Sequence, residues 1–198
     1  MLKVYGRPNS SNCAKVFWML DQIGQDYDLI PAGRGFGPTD TPEFLALNPC
    51  GKVPVLQDGD TVVRESNAML RYLARRFQTG GLWPDDPARQ ASVDGWMDWA
   101  SNSLAPPLTR LRKARAAGRT DDADLPAVIS AFALLDGQVA DGGFIAGPDL
   151  SLADIAAAPS VRRWSLLAGD LPTLPGLDAY ARRLAGFAGY VRHVQNLN

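Results

Sequence analysis

The chain has 198 residues, 46% of them hydrophobic and 21% charged, which suits one compact chain of one or two small domains with a packed core. Lys and Arg number 20 against 21 Asp and Glu, so the net charge of −1 gives no electrostatic reason to expect nucleic acid or an anionic membrane as partner. Two cysteines, Cys13 and Cys50, with the sole histidine His193, are too few for a disulfide framework or a structural zinc, and no run reaches the ~18 apolar residues of a membrane helix.

The opening MLKVYG meets Pro8 and Asn9 before an apolar signal region can form, so a cytoplasmic protein with a small-molecule site is expected. Residues 2–5 form a short β-prone run that ends at Gly6-Arg7-Pro8-Asn9, a strand entering a loop. Val16, Leu20 and Ile23 then recur at i, i+4 and i+7, and Gly24 stands where a helix C-terminal glycine would. Residues 27–30 read as a second strand, followed by a glycine-rich, mobile surface loop over 31–38. Its G-R-G-F-G spacing is not the G-x-G-x-x-G dinucleotide pattern. A short helix over 42–48 ends at Asn48-Pro49. Val53-Pro54-Val55-Leu56, the turn Asp58-Gly59-Asp60 and Thr61-Val62-Val63 then read as a hairpin. A helix starting near Glu65 carries Met69, Leu70, Leu73 and Phe77 on one stripe, so the first part of the chain reads β-α-β-α-β-β-α.

Residues 80–87 are a Gly/Pro/Asp linker, beyond which the periodicity is helical almost everywhere. Two domains follow, an α/β domain over 1–80 and an all-α domain over 86–198. Val93, Trp96, Met97, Ala100 and Leu104 mark one long helix, and Leu125, Val128, Ile129, Phe132, Leu135 and Val139 the next. Ser151-Leu152-Ala153-Asp154 has the form of a capping box, worth ~1 kcal/mol at its cap. Leu177, Tyr180, Ala181, Leu184 and Phe187 mark the final helix, with Arg182, Arg183 and Arg192 solvated or paired with nearby acids.

The run Asn48-Pro49-Cys50-Gly51-Lys52-Val53-Pro54-Val55-Leu56, followed by Glu65-Ser66-Asn67-Ala68-Met69-Leu70-Arg71-Tyr72-Leu73, resembles the paired signature of cytosolic glutathione transferases of the bacterial Ser-using type. With the box at 151–154 the resemblance spans both domains. It implies a thioredoxin-like N-terminal domain followed by an all-helical one, and glutathione as co-substrate. In that family the proline matching Pro54 is cis, and the residue matching Val53 pairs its backbone with the cysteinyl amide of glutathione. A cis X-Pro bond costs only ~0.5–1 kcal/mol, and a backbone turned outward can bind a peptide as a strand does. By the same resemblance Ser66 meets the γ-glutamyl carboxylate at a helix start, Glu65 its ammonium, and Lys52 the glycyl carboxylate. Taken alone, Glu65-Ser66 is also what plain helix capping would choose.

The family places its thiol-activating group between the first strand and first helix, where helix N–H groups favour an anion. The match to the catalytic serine is Ser10, with Ser11 its alternative if the loop is displaced by one, and Asn12 matches an assisting asparagine of some relatives. Tyr5 occupies the position of Tyr-using classes in a loop of the Ser type, and Cys13 lies three residues past the cysteine of Cys-using relatives. Phe36, Trp99 and Ser103, with Leu104 and Pro107, are the candidate contacts for a second substrate in the family's interdomain cleft. The expected reaction is attack of the glutathione thiolate on a small electrophile, with no metal and no nucleic acid or membrane partner, in a homodimer. The alternatives are a glutathione-dependent disulfide or peroxide reductase and a non-enzymatic ligand carrier.

Overall fold

The computed structural model describes residues 1–119, 122–167 and 171–197. The chain forms two compact units, residues 1–79 with 188–197, and residues 80–187. Within the first unit the order is β1 (Leu2–Gly6), α1 (Ser11–Gln22), β2 (Tyr27–Pro31), α2 (Pro42–Leu47), β3 (Val55–Asp58), β4 (Thr61–Arg64) and α3 (Ser66–Arg76). The β-α-β-α-β-β-α order read from the sequence is therefore present.

The sheet runs β2-β1-β3-β4, with β1 and β2 parallel and the other pairs antiparallel. Parallel pairing of β1 and β2 needs a crossover, and α1 supplies it. Residues 13–20 of α1 are all buried, because α1 packs on α3 and on the last helix as well as on the sheet. Gly24 ends α1 at φ +65°, and the Gln25 N–H returns to the Leu20 carbonyl at 2.9 Å, a close that needs a residue without Cβ. Strand β3 begins at Val55 rather than Val53, since Pro54 has no N–H for a ladder and the Val53–Pro54 peptide is cis.

The second unit holds α4 (Pro87–Trp99), a π-helical turn (Ala100–Leu104), α5 (Ala105–Ala116), α6 (Leu125–Gln138), α7 (Leu152–Trp164) and α8 (Pro175–Leu184). The single helix expected through Leu104 instead widens there and runs on into α5. Pro106 and Pro107 lack the N–H groups an unbroken ladder would use, and the Ala105 N–H reaches back to the Ala100 carbonyl. Almost every residue of α7 is buried, and α4, α5 and α8 pack around it. The capping box at its start is present.

The C-terminal end corrects the sequence reading. The final helix expected to Phe187 stops at Leu184, and a further helix, α9 (Ala188–His193), packs on α1 within the first unit. Gly189 allows this approach, since a Cβ there would collide with the Trp18 ring. Arg192 pairs with Asp21 at 2.7 Å, whereas Arg183 has no acid partner among the described residues: its guanidinium donates to the Val139 and Gly143 carbonyls at 3.1 and 2.8 Å.

Candidate functional site

Strand register gathers the candidate residues of the first unit at one end of the sheet. Tyr5 lies opposite Val55, Val55 opposite Arg64, and Gly6 beside Pro31. The loop leading to Ser10, the loop 31–38, Val53-Pro54 and the turn at Glu65 therefore all leave the sheet at the same edge. Neighbouring strands are ~4.8 Å apart, so the step from β1 to β4 spans about 10 Å, the length of an extended tripeptide.

Ser10 is the N-cap of α1: it has extended backbone (φ −99°, ψ 124°), is 8% exposed, and its Oγ accepts the Cys13 N–H at 3.4 Å. The same hydroxyl also hydrogen-bonds the Cys13 side chain, a bond its hydrogen can exchange for an anion placed at that helix start. Ser11 begins the helix half-buried, and Asn12 is exposed. Tyr5 sends its hydroxyl to the Gln57 amide at 3.2 Å; Gln57 pairs with Lys3, further back along the sheet. Cys13 is fully buried and burial pushes its thiol up, which makes it a poor nucleophile.

The loop before Val53 is held by Asn48, which is 2% exposed. Its side-chain amide donates to the Lys52 carbonyl at 2.7 Å and its oxygen accepts the Cys50 N–H at 3.1 Å. Gly51 turns the chain at φ +60° between them. Lys52 is exposed, and Val53 is half-buried with neither its N–H nor its C=O hydrogen-bonded among the described residues. An unpaired backbone beside a strand is what an extended peptide can add to.

Glu65 precedes α3 with φ +67° and ψ 120°, outside the regions open to ordinary residues, and its carboxylate makes no cap hydrogen bond. Plain capping does not explain it. A glycine would adopt this backbone with less strain. Ser66 follows at the first position of α3, 6% exposed, beside the unpaired N–H groups of that turn.

The loop 31–38 folds on itself through the Gly33 N–H to the Gly37 carbonyl at 2.8 Å, and leaves Phe36 exposed. A Cβ on Gly33 would lie 3.0 Å from the Val53 side chain and 3.4 Å from Arg7 Nε, which brings this loop, Arg7 and Val53 together. In the second unit, Trp99 is half-buried against Trp96, Ser103 is exposed in the π-helical turn, and Leu104 and Pro107 are core residues. Two buried polar residues lie in these elements beside the motif residues. Asn48 ends the short helix and opens the signature run, and an Asn-Pro pair before a turn signals such a clamp. Lys15 is a lysine with 5% exposure inside the apolar run of α1, which no stripe pattern flags.

Comparison with known proteins bears on both units. Residues 1–75 match the family model for the glutathione S-transferase N-terminal domain, and residues 122–183 that for the C-terminal domain. Glutathione S-transferase GstB of Escherichia coli strain K12 is 38% identical over 170 residues, 81% of this chain and 82% of that one. Glutathione S-transferase 1 of Zea mays is 31% identical over 197 residues, covering 95% and 90%. Among solved structures, the theta class glutathione S-transferase of Xanthomonas axonopodis pv. citri with glutathione bound has a TM-score of 0.90 at 35% identity, over 98% of this chain and 97% of that one. The four-stranded mixed sheet with its helices is thus the thioredoxin-like domain of that fold, followed by its helical domain, and the chain belongs to the glutathione S-transferase family.

Proposed function

We propose that this chain is a glutathione transferase in which the Ser10 hydroxyl and the start of α1 hold the glutathione thiol as thiolate for attack on a small electrophile. The observation that carries the reading is the N-cap geometry of Ser10, at the same sheet edge as the unpaired Val53 backbone and the Glu65-Ser66 turn. Glutathione lies extended along that edge. Val53 pairs with its cysteinyl amide, Ser66 and the α3 N–H groups receive the γ-glutamyl carboxylate, Glu65 the ammonium, and exposed Lys52 the glycyl carboxylate.

A free thiol of pKa ~8.5 is only about 3% thiolate at pH 7. Lowering that pKa by two units needs ~2.7 kcal/mol, the scale of one hydrogen bond to a charged group plus a helix N-terminus. Ser11 and Asn12 flank the thiolate on the first turn, and Phe36 offers an exposed apolar ring to the electrophile. The known relatives support glutathione as co-substrate, and the family's two-fold dimer is part of this reading.

The test is titration of bound glutathione thiolate at 240 nm in the native protein, Ser10→Ala and Ser11→Ala. The reading expects a depressed thiol pKa that rises by roughly 1–2 units in Ser10→Ala alone. Loss confined to Ser11→Ala moves the role by one residue, and an undepressed native thiol rejects thiolate activation.

A further inference from the structure

Asn48 closes α2, keeps only 2% of its surface exposed, and directs both ends of its side chain at the loop before Val53. Its Oδ1 accepts the Cys50 N–H at 3.1 Å, and its Nδ2 donates to the Lys52 carbonyl at 2.7 Å. The first bond fixes which end of the amide faces which partner, because a backbone N–H can only donate. An ordinary Asn turn needs no more than that bond, and the Gly51 N–H to the Asn48 carbonyl at 3.0 Å already closes the chain. The bond to Lys52 goes further, to the peptide unit that faces the site.

The Lys52 carbonyl belongs to the same peptide unit as the Val53 N–H. The cis peptide bond among the described residues is Val53–Pro54, so the Lys52–Val53 unit is trans and planar, with its oxygen and hydrogen on opposite sides. Holding the oxygen against Asn48 therefore aims the Val53 N–H away from the clamp. That N–H has no hydrogen bond among the described residues, while the Val53 side chain packs on Ala32, Phe44 and Val55. Oxygen and hydrogen are the two ends of one dipole, so a donor on the oxygen also makes the N–H a stronger donor.

We propose that Asn48 is a positioning residue for glutathione: its side-chain amide orients and polarises the Lys52–Val53 peptide so that the Val53 N–H donates to the cysteinyl carbonyl. The inference rests on the glutathione reading above and adds to it a buried residue that need not touch the ligand.

The test compares the dissociation constants of glutathione and of its depsipeptide, with the glycine N–H replaced by an ester oxygen. Both are measured in the native protein, Asn48→Ala and Asn48→Asp at pH 8, with circular dichroism to follow the fold. The ester makes the cysteinyl carbonyl a weaker acceptor, and Asp as a carboxylate keeps the acceptor for the Cys50 N–H but offers no donor. The native protein should favour glutathione over the ester about fivefold, the size of one hydrogen bond. Both variants should bind glutathione about fivefold more weakly and favour it less than about twofold, with the thiol pKa at saturation unchanged. A loosened loop would weaken both ligands alike, so a folded variant that keeps the full preference overturns the proposal. In the native protein a scalar coupling should join the Asn48 side-chain nitrogen to the Lys52 carbonyl carbon, and its absence overturns the proposal without any variant. A native protein that binds no glutathione, or binds glutathione and ester equally, rejects the glutathione reading or its Val53 pairing, and the role of Asn48 with it.

Discussion

At the scale of single residues, two groups sit where stability alone would not place them. Glu65 holds a backbone conformation that glycine would adopt more easily, and Lys15 buries an ammonium. A fall in lysine pKa from 10.5 to about 8 corresponds to roughly 3 kcal/mol against the charged form. Lys15→Met should therefore be more stable than the native protein at pH 7, by about 1–3 kcal/mol in urea unfolding. The sign with pH follows from proton binding. Between pH 8 and 10.5 the unfolded chain still holds the Lys15 proton and the folded one does not, so raising the pH favours the folded state. Native stability relative to Lys15→Met should rise across that window by up to ~1.4 kcal/mol per pH unit and stay level below it. A flat difference between the two proteins from pH 7 to 10.5 would show that Lys15 carries no such cost.

At the scale of elements, the starts of α1 and α7 are capped differently. The Ser10 hydroxyl at the start of α1 accepts one backbone N–H and also bonds the Cys13 side chain, whereas the cap of α7 is a closed network. Asp154 is fully buried and accepts from the Ile145 and Ser151 N–H groups at 2.9 and 2.8 Å and from the Ser151 and Tyr180 hydroxyls at 2.9 and 2.7 Å. Burial pushes its carboxyl up, and these four donors oppose the rise. Asp154→Ala strands several donors in the core of the second unit, so a loss of roughly 3–5 kcal/mol is expected, read as a fall in the urea midpoint. A change under 1 kcal/mol would mean the donors find other partners. The π-helical turn belongs to this scale too: it lies where Pro106 and Pro107 withhold two donors, and it holds Ser103 exposed.

At the scale of the whole molecule, the chain returns to its first unit after completing the second. Helix α9 closes over α1 through Tyr190 edge-on to Trp18, His193 against Phe17, and the Asp21 carboxylate shared by Arg192 and His193. Gly189→Ala drives a Cβ into Trp18, so hydrogen exchange over 188–197 should quicken and the protein lose about 1–3 kcal/mol. Gly95→Ala, in α4 with nothing within 4 Å of the added Cβ, is the control and should gain roughly 0.5–1 kcal/mol. Equal behaviour of the two variants would reject the close packing of α9 on α1.

Much of this was legible in the chain because the deciding interactions are local. Periodicity, glycine and proline placed β1 to α3 in order, Gly24 marked a helix end, and the spacing of Ser151 and Asp154 specified a cap, since each depends on neighbours within a few residues. Ser10, Val53, Glu65 and Ser66 stood out differently, through the resemblance of their motifs to a known family. The sheet register that gathers them, the unpaired backbone of Val53, the clamp of Asn48 and the return of α9 to α1 rest on partners far along the chain. Lys15 shows the division most clearly. In sequence it is one lysine on a helix; only the packing around α1 buries its charge, because burial is a property of the assembled fold.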